Sequence, residues 1–399
     1  MVSRLLIFAL WPFLLLGLLI SAQAAPLDNA VGRAFFEQIW VSAPATTHAI
    51  DGLGPMFDAR ACASCHPKAG PGAVLTGRIG DGRGPGFIVK LARPGGLPDP
   101  VYGAQLNTQG IQGMPAEGVA TVTAREENGL RRLALRIGEP AFGPLSPDIR
   151  VSLRRAPNLR GVGRLMAIPE TTILANAAAE PPEIRGRPNW LSTPEGVPVL
   201  GRLGWKAGEP DLAQQAALAF SRDMGLSTRF RLAPYGDCTA AEAACRAGPH
   251  GEPPGVPEVR DQILDAIAGY LGRLPPPPAK NAEGSALFAA IGCTACHASL
   301  PDGSGGRVPA YTDLLLHDLG PGLADGLSEG EASGSEWRTA PLWGLSASLG
   351  AGGLLHDGRA RTVDEAIRWH QGQALSSRSR YLALAATDRG LLLAFLEGL

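Results

Sequence analysis

The sequence predicts a mainly α-helical protein of two unequal repeats, the first enlarged by a long insertion that carries a small β-hairpin. Three observations predict this. The pattern C-x-x-C-H occurs twice, as Cys62-Ala63-Ser64-Cys65-His66 and as Cys293-Thr294-Ala295-Cys296-His297. Phe57 and Phe288 each precede the first cysteine of their motif by five residues. Far downstream of each motif lies an apolar segment with a matching end, Tyr270-Leu271-x-x-Leu274 and Phe395-Leu396-x-x-Leu399.

Composition bounds what such a protein can be. Hydrophobic residues make up 45% and charged residues 18% of the 399, which excludes a disordered chain. The 36 basic and 37 acidic residues leave a net charge of -1, so nothing in the charge draws in nucleic acid. With 52 Gly and 35 Pro, the chain is expected to be loop-rich and organised around something other than one large apolar core. Arg4, the apolar run 5–20 and Ser21-Ala22-Gln23-Ala24 read as a secretory signal peptide over residues 1–24. No later apolar run reaches the roughly 18 residues of a membrane span. The processed protein is therefore expected in the periplasm, with no stable membrane span.

The remaining elements follow in order. The first domain is expected over 25–274. Val119–Glu126 and Leu130–Ile137 alternate around Asn128-Gly129, a hairpin turn signal. Cys238 and Cys245, in D-C-T-A-A-E-A-A-C, are expected to form a local disulfide in an oxidising compartment. Val259, Ile263 and Ile267 recur at helical spacing and lead to Tyr270. Pro275–Pro278 cannot continue that helix and set the boundary to a second domain over 275–399. There, Thr362-Val363-Asp364-Glu365 is a capping box, and Val363, Ile367 and His370 share the face of the helix it opens. Ala156-Pro157-Asn158-Leu159-Arg160-Gly161 also pairs with Ala340-Pro341-Leu342-Trp343-Gly344, as two equivalent loops.

The two motifs carry the chemistry. In C-x-x-C-H the thiols add across the haem vinyl groups, and the adjacent histidine becomes an axial ligand of the iron. Cys62, Cys65, Cys293 and Cys296 are thus expected to hold two covalent c-type haems, with His66 and His297 on the irons. The repeats become two cytochrome c-like haem domains. A zinc site would need the paired cysteines about 15 to 20 residues apart, and these lie far outside that range. What occupies the sixth position decides between electron transfer and catalysis. No histidine stands between His66 and His250, which leaves Met114, Met166, Met224 and His48 as candidates in the first domain. The second offers His370 on its helix, and His317 and His356 in polar turns.

The two motifs, Arg338-Thr339-Ala340-Pro341-Leu342-Trp343-Gly344, and the run from Leu355-His356-Asp357-Gly358-Arg359 to Ile367 resemble the bacterial dihaem cytochrome c peroxidase superfamily, which includes the MauG enzymes. Gly52–Arg60, Gly201–Ala207, Tyr311–Gly320 and Gly334–Arg338 are similar to its di-haem oxidoreductase branch, labelled thiol oxidoreductase or peroxidase. The resemblance implies a peroxidase-like oxidoreductase in which electrons pass from the second haem to a first haem that reacts with peroxide. It implies a far ligand fourteen residues after His356, a methionine in the peroxidases and a tyrosine in MauG enzymes. Here that position is His370, a departure from both, and bis-histidine ligation with His297 follows. An acid on the far side of the first haem is also implied, and Glu170 is the nearest acid to the Pro157 loop; Glu117, Gln105 and Gln112 are the alternatives. So are one calcium ion and an inter-haem tryptophan, for which Trp205, Trp337 and Trp343 are candidates. The electron donor would be a small redox protein or a quinol-derived donor, and the substrate peroxide or a similar small molecule. Two other readings stand beside this one. One is a dihaem electron carrier without catalysis, the other an oxidase of a thiol or protein partner.

Overall fold

The structure, a computed structural model, describes residues 27–74, 76–79, 86–253, 255–280 and 283–399, so the signal peptide read over 1–24 lies outside the described residues. The expectation of a mainly α protein is corrected: 31% of the chain is helical and 19% is strand, an α/β mixture with many small sheets. The strand content beyond the expected hairpin comes from segments of two to six residues, too short to show a period of two in the sequence.

Each repeat closes through one pair of crossed helices. In the first, a helix over residues 27–37 crosses Asp261–Arg273, and Phe36 meets Tyr270 with ring centroids 5.6 Å apart. In the second, Ser285–Ala290 crosses Ala386–Glu397, and Phe288 meets Phe395 at 5.7 Å. Four residues before each phenylalanine a glycine lets the backbones touch. A Cβ on Gly32 would stand 2.3 Å from the Ala266 carbonyl, and one on Gly284 would stand 2.6 Å from that of Leu391. Ala266 and Leu391 each precede their aromatic partner, Tyr270 and Phe395, by four. The counterpart of Phe288 is therefore Phe36, not Phe57. Phe57 lies on the short strand Met56–Phe57, paired with Gln109–Gly110, because the first repeat inserts a loop between its opening helix and its motif.

This crossing yields a stability prediction. Gly32→Val should lower stability by about 1–3 kcal/mol, the usual cost of forcing atoms into a packed contact. Gly138→Ala, where a Cβ meets nothing within 4 Å, should change it by no more than about 0.5 kcal/mol. Thermal unfolding of the two variants checks both; equal shifts would show that the crossing is not tight.

The two loops that pair in sequence also pair in hydrogen bonding. Leu159 N donates to Ala69 O and Gly161 N to Leu274 O; Leu342 N donates to Ala310 O and Gly344 N to Leu399 O. Leu274 and Leu399 are the last residues of the two matching helix ends. Both glycines have positive φ, 86° and 76°, and open the short helices Val162–Met166 and Leu345–Gly350. The proline run passes between them: Pro276 lies against Gly161 and Pro277 against Gly344.

The insertion builds two three-stranded sheets. One contains the hairpin Val119–Glu127/Leu130–Gly138, with Asn128 and Gly129 both at positive φ in its turn. Its tip reaches the second repeat, where Glu126 pairs with Arg361 at 2.8 Å and Arg132 lies over Trp369. In the other sheet, Phe87–Ala92 is central between Gln105–Leu106 and Arg150–Arg155. Lys90 stands opposite Gln105, and Phe87 opposite Arg155. Cys238 and Cys245 are joined as a disulfide.

Candidate active site

Both motifs open on one continuous cavity of about 750 Å³. Cys62, Cys65 and His66 line it on one side, and Cys293, Cys296, His297 and His370 on the other. The four motif cysteines are free thiols, not a disulfide pair. Burial pushes Cys62 and Cys293 up to about 12 and raises Cys65 and Cys296 as well. A reactive dithiol needs a depressed pKa, so these thiols are unsuited to disulfide exchange.

The three predicted histidine ligands share one arrangement. The Nδ1–H of His66 donates to Pro157 O at 2.9 Å, that of His297 to Tyr311 O at 2.8 Å, and that of His370 to Ala366 O at 2.7 Å. A carbonyl can only accept, so each imidazole is fixed as the Nδ1–H tautomer, with the Nε2 lone pair free. Such an outer partner orients a metal-ligating imidazole and raises its basicity. Burial holds His66 and His297 down to about 4 and lowers His370, which keeps all three neutral near pH 7. His370 closes the helix Val363–Trp369, whose Thr362 hydroxyl accepts from Glu365 N as the capping box requires.

The cavity wall also suits the carboxylates that a haem carries. Arg155 and Arg338 are buried, line the cavity and form no ion pair among the described residues. Among the described residues their guanidinium groups donate only to backbone carbonyls: Gly72, Ser348 and Gly353 for Arg155, Gly204 and Thr339 for Arg338. Burial lowers both to about 10. Buried cations without a counter-charge are costly, and haem propionates are carboxylates of the right sign. The donor set, the fixed tautomers and these two arginines all fit haem.

All three candidate tryptophans line the cavity. Trp205 Nε1 donates to Arg155 O. Trp337 stacks on His356 at 3.8 Å and 12°, with Arg154 and Lys206 at 4.6 and 4.5 Å from its ring. His356 thus packs against an indole. The His317 imidazole is buried between Asp313, at 2.7 Å, and Cys296. Burial alone would lower its pKa, but those two partners hold it up to about 11. Cys296, Asp313 and His317 form the group of metal-type donors that converges among the described residues. It contains a motif thiol, and it is not the all-oxygen shell that calcium takes.

Other predicted residues fall elsewhere. Glu170 begins the helix Glu170–Ala179, is exposed and does not line the cavity. It occupies the favourable N-terminal turn instead. Glu117 is buried against Asn107, and Gln112 is exposed. Met114, Met166, Met224 and His48 are also absent from the cavity lining.

The acids that do reach the cavity beside the first motif are Glu209, Glu329 and Asp223. Glu329 pairs with Lys90 and Arg154, and Glu209 with Arg231. Asp223 forms no ion pair among the described residues; its Oδ1 accepts from Gln105 Nε2 at 2.8 Å. The same amide donates to Asp58 at 3.0 Å. Burial raises Asp223 to about 6 and Asp58 to about 7. Asp223 comes from the last turn of the helix Leu212–Met224, started by an Asp211 cap to Gln214 N and stopped by Gly225 in the left-handed conformation. Gln105, Lys90, Arg154 and Arg155 come from the central sheet of the insertion, which therefore forms one wall of the site. Gln105 stood among the sequence alternatives; Asp223, distant in sequence from both motifs, carried no local signal.

No curated protein matches the chain. Among solved structures, a hydrazine synthase of Kuenenia stuttgartiensis, pressurised with xenon, is similar over 93% of this chain and 92% of its own, at 14% identity and a TM-score of 0.37. The family model described as "Di-haem oxidoreductase, putative peroxidase" matches residues 143–399, which include the second motif, His356 and His370. The first motif precedes that match and supplies the other half of the shared cavity, and the chain belongs to the di-haem oxidoreductase family.

Proposed function

We propose that the protein is an exported, peroxidase-like di-haem oxidoreductase of the periplasm. Cys62 and Cys65 would bind one haem c through thioether bonds, and Cys293 and Cys296 the other. His66 would hold the first haem, and His297 and His370 the second. Bound there, the haems would supply one-electron transfer at the site of His297 and His370 and peroxide reduction at the site of His66. The chain's own part is to fix the imidazoles, to neutralise the propionates with Arg155 and Arg338, and to move a proton. In this reading Asp223 accepts a proton from peroxide and returns it to the departing oxygen, while Gln105 holds its carboxylate in place. The electrons come from a small redox protein.

The observation that carries this reading is the asymmetry of donors. The second site has two anchored histidines. In the first lobe His66 is the histidine so placed, and no methionine lines the cavity among the described residues. An electron carrier would fill both sixth positions.

Two measurements test it. Replacing His370 by Gly should turn the second haem from low-spin to high-spin in the ferric EPR spectrum and raise its potential, with the first haem's signals kept. Unchanged spectra would move the ligand assignment to another histidine. Wild-type protein, half-reduced, should consume peroxide; a first haem that is wholly low-spin and inert to peroxide would make the protein an electron carrier.

A further inference from the structure

The helix Leu212–Met224 turns one face to the cavity, and that face ends on two charged residues. Leu212, Gln215, Ala216, Ala219, Arg222 and Asp223 all line the cavity. Their spacing is the helical repeat, so Arg222 and Asp223 lie on the cavity face by the geometry of the helix itself. Gln105 holds this last turn from the sheet wall. Its Nε2 donates to Asp223 Oδ1 at 2.8 Å and to the Arg222 carbonyl at 3.4 Å.

Arg222 differs from the other cations of this lobe. Lys90 is paired with Glu329 at 2.9 Å, Arg154 with Asp325 and Glu329, and Arg231 with Glu209 at 3.2 Å. Arg155 is held by backbone carbonyls. The Arg222 guanidinium has neither kind of partner among the described residues, although the residue is half-buried. Its charge acts on Asp223, Glu209, Lys90 and Arg231, which also line the cavity. It reaches Asp237 as well, whose Oδ2 accepts from Ala104 N at 2.9 Å. An uncommitted guanidinium on a cavity wall, one residue from a carboxylate, offers N–H donors and a permanent positive charge to whatever binds there.

We propose that Arg222 is a further catalytic residue of the first haem site, donating to the oxygen that departs when the O–O bond of peroxide breaks. This rests on the peroxidase-like reading above. Asp223 takes the proton from one oxygen. The other oxygen leaves with both electrons of the O–O bond and its own hydrogen, as hydroxide. Its negative charge develops beside the guanidinium, and the proton held by Asp223 then converts it to water. The oxygen left behind takes two electrons, which the redox-protein donor supplies through the haems, and two protons from solvent, and becomes the second water. A fixed cation placed where negative charge develops lowers the barrier without having to reorganise, and it hardly changes the binding of neutral peroxide itself. Asp223 moves the proton, and Arg222 carries the charge.

The test compares the full holoprotein with Arg222→Gln, which keeps a polar side chain and removes the charge. In steady-state peroxide consumption, kcat/KM should fall roughly 100- to 1,000-fold, the usual loss when one such donor is removed. A second readout needs no turnover. Titrated into the ferric protein, fluoride should bind the first haem about tenfold or more weakly in the variant, the usual size of a lost charge-assisted hydrogen bond. Imidazole, a neutral ligand, should bind within about threefold of its wild-type affinity, because it gains nothing from the charge. The spectra and potential of the second haem should stay the same. A cation also suits the end of a helix for reasons of the dipole alone. That role would lower the unfolding midpoint of the variant and leave the ratio of fluoride to imidazole affinity as it was. An unchanged ratio, or peroxide turnover at the wild-type rate in Arg222→Gln, would overturn the proposal. A wild-type protein that binds fluoride and consumes no peroxide would overturn the peroxidase reading and this proposal together, whereas equal turnover in the two proteins would overturn this proposal alone.

Discussion

Replacing Asp223 by Asn should lower turnover with peroxide roughly 100- to 10,000-fold, the usual size of a lost acid–base group. The substitution keeps the shape, and the amide still meets Gln105; what disappears is the titratable proton. Asp223 suits the task for two reasons. Burial brings its pKa to about 6, against the weaker downward pull of Arg222 and Lys90, near enough to neutrality both to take and to release a proton, and it forms no ion pair among the described residues. The pH profile follows with a definite sign. The carboxylate must be ionised to accept the first proton, so kcat/KM should fall as the pH drops through about 6, and this acid limb should vanish in Asp223→Asn. Gln105→Leu should weaken turnover less and displace the limb, because it removes the donor that holds the carboxylate while leaving the proton site. The ferric spectra and second-haem potential should be those of the wild type in both variants. The measurement is steady-state peroxide consumption between about pH 4.5 and pH 8. Wild-type turnover in Asp223→Asn, with loss of turnover in Glu209→Gln, would transfer the role to Glu209, whose pairing with Arg231 would then have to open.

The parts of this molecule that were legible in the sequence are those fixed by local chemistry. The Thr362 cap, the Asn128-Gly129 turn and the disulfide each depend on a few neighbouring residues, and each lies where its pattern implied; both motifs line one cavity. The position of His370, fourteen residues beyond His356, depended on resemblance and is the helix end where Nδ1 finds Ala366 O. Two kinds of feature were not legible. The first is registration across an insertion: counting back five residues matched Phe57 to Phe288, whereas the physical equivalent, Phe36, is set by where Gly32 lets two backbones touch. The second is anything assembled by long-range pairing. Gln105 meets Asp223 across 118 positions, and Arg155 reaches Gly353 across 198, so neither leaves a spacing signal. The same cause underlies the corrected fold class, since strands such as Phe87–Ala92 and Arg150–Arg155 are recognisable only as partners. Glu170 illustrates the opposite error. Its neighbourhood in sequence to the Pro157 loop said nothing about which way a helix N-terminus faces, and this one faces solvent.

The double substitution of Cys62 and Cys65 by Ala should remove one haem from the protein and abolish peroxide turnover altogether. The whole-protein mass should fall by one haem beyond the change of two side chains, and the c-type pyridine haemochrome should halve. The second site should keep its low-spin spectrum, because its cysteines, His297 and His370 come from segments beyond Pro275–Pro278. Stability should fall as well. The first-repeat core, from Phe36 and Phe57 to Ile263, Leu264 and Ile267, packs around that lobe of the cavity. Without its group, the lobe leaves apolar walls and the Arg155 guanidinium facing an empty space. Lost van der Waals contacts and an unpaired buried cation each cost about 1–5 kcal/mol, so the unfolding midpoint should drop by roughly five to twenty degrees or the chain should fail to accumulate. Cys293→Ala with Cys296→Ala should give the mirror image: the haem at His66 stays, the low-spin bis-histidine signal is lost, and electron delivery from a protein donor stops while direct chemical reduction of the remaining haem continues. The pair of variants separates attachment from ligation, since all three histidines remain in both. Two haems in either variant, by mass and by haemochrome, would mean that these thiols do not anchor the cofactor, and the free-thiol cavity would then have to be explained without covalent haem.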